Sequence, residues 1–106
     1  MDIEIIRKRI RNGKYLVKSH AIIHALKEGF HHHHIVDAVL SGQIIEEYPV
    51  EKRVLICGKA NLSQTTVIHL HVLCEHIDPV YAEIVTAYIP DEGEWEHPPF
   101  RRRRRR

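Results

Sequence analysis

The spacing of apolar residues along this chain changes once, from a helical period of three to four to an alternation of two. Near the start, Ile3, Ile6 and Ile10 fall on one stripe behind Asp2, a good helix N-cap. Arg7, Lys8, Arg9 and Arg11 suit the C-terminal end of that helix, and Asn12-Gly13 stops it. The segment Lys14-Tyr15-Leu16-Val17-Lys18 reads as a linker or a short strand. Ser19 then predicts the N-cap of a second helix, with Ile22, Ala25 and Leu26 inward and Gly29 closing it. Phe30 leads into a third, with Ile35, Ala38 and Val39 inward and Ser41-Gly42 at its end.

From Gln43 onward the alternation predicts four strands: Gln43–Tyr48, Arg53–Lys59, Thr65–Cys74 and Val80–Ile89. Short polar segments separate them, as in an antiparallel meander. Helices followed by strands predict an α+β domain: two to three N-terminal helices packed on one face of a four-stranded antiparallel sheet. In the third strand Ile68, Leu70, Val72 and Cys74 share one face, which should meet the helices. His69 and His71 then fall on the open face, while alternation does not decide where Tyr88 points. Residues 1–97 make one domain, and the Pro/Arg-rich residues 98–106 are expected to be a disordered tail.

Composition adds a division of charge. The formal net charge is +2, but six of the sixteen Lys and Arg residues are Arg101–Arg106. The remaining hundred residues carry ten basic against fourteen acidic side chains, so an acidic body bears a basic tail. Only the tail offers general affinity for phosphates. Cys57 and Cys74 stand inside apolar runs, with no Cys-x-x-Cys, and read as small buried hydrophobes. No stretch approaches the ~20 apolar residues of a membrane span, so no membrane partner and a cytoplasmic location are expected.

Ten histidines in 106 residues are the strongest chemical signal. His20 and His24 sit one helical turn apart, His31–His34 form a run at the start of the third helix, and His69 and His71 alternate on a strand. Histidine is both the side chain that titrates near neutrality and a common metal ligand. A single ion held by His69, His71, Cys74 and His76 is opposed by strand geometry, which points the first two away from the others. His20 and His24 can chelate, but Ala21 stands where the His-Glu-x-x-His motif needs Glu. The other chemistry is cleavage of RNA by its own 2′-hydroxyl, without metal or cofactor. It needs a base, an acid and a cation for the phosphate. His20, His69 and His71 with Lys18 and Arg53 could supply such a group.

An ordered set of motifs points the same way. Lys18-Ser19-His20-Ala21 opens a helix, and Ile35–Gly42 runs into Gln43-Ile44-Ile45-Glu46-Glu47-Tyr48-Pro49. Leu70-His71-Val72, Thr86-Ala87-Tyr88-Ile89-Pro90 and Trp95 follow. Over about residues 14–96 the chain resembles the prokaryotic domain-of-unknown-function family 4258. Such proteins look like toxins of toxin–antitoxin pairs, similar in layout to the RelE, BrnT and MqsR group. The resemblance implies a RelE-like fold and a metal-independent endoribonuclease neutralised by a cognate antitoxin, with His20, His71 and Tyr88 at the matching motif positions. His20 and His71 would share acid and base roles, and Tyr88 would orient or stack the substrate. Lys18, Arg53, His24 and His69 are the expected contacts to RNA. Glu28-Gly29 stands where the family often has Arg-Gly, and His31–His34 stand where it carries polar capping residues. The alternative reading is a non-catalytic binding module that uses its histidines for metal.

Overall fold

The computed structural model of the protein describes residues 1–104. Three helices, α1 (Ile3–Arg11), α2 (Ser19–Glu28) and α3 (His32–Ser41), surround a short strand β1 (Tyr15–Val17) in the chain order. Four strands follow: β2 (Gln43–Tyr48), β3 (Arg53–Asn61), β4 (Val67–Glu75) and β5 (Ala82–Tyr88). The order across the sheet is β1-β5-β4-β3-β2. β2 to β5 form the expected antiparallel meander, whereas β1 pairs parallel with β5 through Tyr15↔Ala82, Leu16↔Glu83 and Val17↔Ile84. The four-stranded antiparallel sheet is thus corrected to five strands and mixed direction. The sequence leaves a short strand open here, but three residues show too little alternation to place it in the sheet; the exposed edge of β5 recruits them. The fold is α+β, and among the described residues no helix is long and apolar enough to cross a membrane.

Local chemistry explains the helix boundaries. The Asp2 carboxylate accepts the Glu4 N–H at 2.9 Å, and Gly29 ends α2 at φ +89°, in the left-handed region glycine adopts without strain. At α3, His31 donates its backbone N–H to Nδ1 of His34 at 2.9 Å, the contact a Glu or Gln makes in an ordinary capping box.

The helices cover one sheet face. Val54, Ile56 and Ala60 of β3, Leu70, Val72 and Cys74 of β4, and Ala82, Ile84 and Ala87 of β5 meet Ile6, Ile10, Ala21, Ala25, Ile35, Ala38 and Val39. Backbone approach is closest where α3 crosses β3: a Cβ on Gly58 would stand 1.7 Å from the Ala38 carbonyl oxygen. One sequence expectation is corrected in α2. Ala21 and Ala25 are the buried residues, while Ile22 and Leu26 remain 41% and 58% exposed. Two alanines let the helix settle closely on β5, which turns the larger side chains outward.

Candidate functional site

The opposite sheet face collects the polar chemistry through register alone. β4 pairs His69 with Lys59 and His71 with Cys57 on β3, and His71 with Tyr88 on β5. Bulges at Ile44/Glu46 on β2 and at Leu73/Cys74 opposite β5 shift the pairing, so that Glu46 opposes Leu55 and Thr86 opposes Leu73. Glu46, Tyr48, Arg53, Leu55, His69, His71, Thr86 and Tyr88 consequently share this face.

The face is only partly open, because the chain beyond β5 returns across it. Trp95 is 3% exposed, and its ring meets His71 edge-on at 4.3 Å between centroids. His71 Nε2–H donates to the Pro99 carbonyl at 2.8 Å, which leaves Nδ1 to accept the Tyr88 hydroxyl at 3.2 Å. His71 is fully buried, not solvent-facing as a half-open sheet would have it, and both ring nitrogens are engaged. Burial above all lowers its pKa from the ordinary histidine value, so the neutral ring is favoured. Burial likewise pushes Tyr88 up to about 12, which keeps its hydroxyl protonated.

The segment expected to be a disordered tail supplies several of these contacts. Glu96 N–H donates to the Arg101 carbonyl at 2.9 Å and Arg103 N–H to the Glu94 carbonyl at 2.8 Å. Between them Trp95 and Arg102 form an antiparallel bridge. Arg102 binds Glu46 through Nε at 2.9 Å and Nη2 at 3.0 Å, with its guanidinium 4.6 Å from the Trp95 ring centre. That hydrogen bonding holds the Glu46 carboxyl below its usual range. Arg105 and Arg106 of the expected tail lie outside the described residues.

Beside the cover, a cavity of about 300 Å³ remains, lined by Tyr48, Glu51, Arg53, Leu55, Leu73, Thr86 and Tyr88. Arg53 Nε donates to Glu75 at 2.8 Å and is the cation of this cavity. Tyr88 joins the two regions, with its ring on the cavity wall and its hydroxyl against His71.

His20, His24 and Lys18 stand elsewhere, on and before α2. His24 Nδ1–H donates to the Ala87 carbonyl at 2.8 Å, and Glu28 accepts the Ile89 N–H at 2.9 Å, so this flank of α2 satisfies the β5 edge beyond the end of β1. Glu28 therefore has a backbone partner. His20 is exposed and stacks on His24 at 6.1 Å, and Lys18 reaches Glu83 at 3.6 Å. Among the described residues no hydrogen bond or ring contact joins His20 to His71 or Tyr88. His69 is half-buried beside His97 and Phe100, with its pKa lowered by burial first and then by Lys59 and His97.

The sequence reading missed Glu46 and Arg102. The signal was an acidic side chain three residues before Pro49, on a strand whose bulge no alternation reveals, and an arginine hidden inside a homopolymer. The cysteine reading is matched by burial, which raises Cys57 to about 11 and Cys74 to about 12. Among the described residues no group of three or more His, Cys, Asp or Glu side chains is placed to hold one metal ion. No family model matches the chain, no curated protein matches it, and no solved structure matches it.

Proposed function

We propose that this protein is an RNA-cleaving toxin of the RelE-like type, acting on RNA bound across the sheet face at the Arg53–Tyr88 cavity. The observation that carries the reading is the convergence of a cation and two phenol-bearing side chains, Arg53, Tyr48 and Tyr88, on one open cavity. A cation offsets charge building on a phosphate, and an aromatic ring stacks a splayed base at ~1–3 kcal/mol. His71 acts here through Tyr88: its Nδ1 fixes the direction of the hydroxyl. It is a positioning residue, and the acid and base shared by His20 and His71 in the family resemblance are redistributed. Tyr88 faces the phosphodiester, whereas His20 stands on α2, on the other side of the sheet, apart from this cavity. The motifs from Lys18-Ser19-His20-Ala21 to Trp95, which resemble those of family 4258, suit the same class, and the acidic body suits a basic antitoxin segment.

The test is labelled single-stranded RNA in EDTA, alone and on translating ribosomes, with the parent protein, Tyr88→Phe, Arg53→Gln and the His20→Ala/His71→Ala pair. Cleavage by the parent and a loss of about a hundredfold or more in each variant is expected. Absence of cleavage in both substrates, or full cleavage by Tyr88→Phe, overturns it. One observation favours the second reading, a non-catalytic binding module: the buried, doubly bonded His71 is closed to any substrate. On that reading RNA or protein binds with no cleavage at all.

A further inference from the structure

Arg102 is held as a ligand is held. Its guanidinium makes two parallel hydrogen bonds to Glu46, the bidentate geometry that distinguishes arginine from lysine, and lies over the Trp95 ring. Tyr48 donates its hydroxyl to the same Glu46 carboxylate and fixes it. Trp95 is itself fixed by the edge-on contact with His71. The wall of this cage thus comes from β2 and the segment after β5, and the arginine comes from a short piece of chain that docks by two backbone hydrogen bonds, Glu96 to Arg101 and Arg103 to Glu94, with an Arg103 side-chain bond to the Glu92 carbonyl and the Pro99 carbonyl on His71 beside them. Arg102 itself stays 57% exposed, so its occupancy is reversible without opening the core.

We infer that Glu46, Tyr48 and Trp95 form an arginine-recognition site, filled by Arg102 of the same chain, which an arginine in an extended basic segment of a separate protein takes by displacing it. Three features on the molecule select that occupant. The planar fork and the ring face select a guanidinium over an ammonium. The Glu94 carbonyl and Glu96 N–H form the edge on which an extended segment adds as a short strand. Asp91, Glu92, Glu94 and Glu96 give that edge a charge complementary to further arginines. The resident tail sets the threshold, because a tethered competitor acts at an effective concentration on the order of millimolar. The inference does not rest on the nuclease reading, since a protein that cleaves nothing can still bind at this cage.

Trp95 is the single tryptophan, so its fluorescence reports the cage directly. The full-length R102A variant is titrated with acetyl-Phe-Arg-Arg-Arg-amide, which repeats Phe100–Arg103, and with the same peptide carrying Lys at its middle arginine. Saturable change in Trp95 emission is expected with the first peptide, and binding at least about tenfold weaker with the second. Adding E46Q to R102A should weaken the arginine peptide by a similar factor, and wild type should bind it more weakly than R102A. R102K, which keeps the charge and loses the fork, serves if R102A does not fold, with the same ranking expected. Equal binding of the two peptides, insensitivity to E46Q, or no saturable response overturns the proposal. A wild-type dimer that exchanges tails, seen by sedimentation and abolished by R102A, overturns it as well, by assigning the cage to self-association.

Discussion

Three histidines in this fold, His34, His69 and His71, are buried enough for desolvation to be the leading cause of a lowered pKa. Burial favours the neutral ring in each, and in two of them a ring nitrogen accepts a hydrogen bond: His34 Nδ1 from the His31 N–H, and His71 Nδ1 from the Tyr88 hydroxyl. The unfolded chain protonates them at the ordinary value of 6.5, above the folded-state values. Between these pH values the unfolded state binds more protons, so stability rises with pH. Their contribution is complete above pH 6.5 and is lost as pH falls through the folded values. Urea midpoints are therefore expected to drop between pH 7 and pH 5, with a shallower slope in His71→Gln. An unchanged slope in that variant would show that His71 titrates alike in both states. The histidine run thus divides by burial, with His31, His32 and His33 exposed and His34 inside the α3 cap.

At the scale of elements, the decisive contact is α3 lying on β3 with glycine between them. Gly58 admits the Ala38 carbonyl where no Cβ fits, and Gly42 meets the same carbonyl from the helix end. Gly58→Ala is expected to cost more than about 3 kcal/mol, because backbone rather than a flexible side chain must move. Gly13→Ala, at φ +69° with open space around it, should cost only about 1 kcal/mol through its dihedral alone. Chemical denaturation of both variants separates the two causes, and similar losses would contradict the close packing of α3. Element identity here was legible from periodicity, down to the inward set Ile35, Ala38 and Val39. The inward face of α2 was legible only at Ala25, because sequence ranks Ile22 and Leu26 above Ala21 by size, whereas closeness of approach to β5 ranks them the other way.

Over the whole molecule, the return of the chain across the sheet makes the closed half of the site. Trp95, Pro99 and Arg102 close over His71 and Glu46, leaving the Arg53–Tyr88 cavity as the open half. Trp95→Ala is expected to destabilise the protein by about 3 kcal/mol and to let water reach His71. The His71 pKa should then rise toward the ordinary histidine value, measurable from its ring resonances on titration. A His71 that titrates as in the parent would mean that Trp95 does not shield it.

What the sequence by itself determined was local. The change of period at Gln43 announces helices then strands, the caps mark helix ends, and alternation puts Leu70, Val72 and Cys74 inward and His69 and His71 outward. These follow from neighbours within a turn or a pleat. Tertiary structure alone decided that β1 joins β5 in parallel, that two bulges turn Glu46 and Thr86 onto the open face, and that Tyr88 meets His71. It also separated His20 from His71 and covered the latter with residues 95–102. Each depends on register between segments distant in the chain, where one residue of slip moves every side chain to the other face.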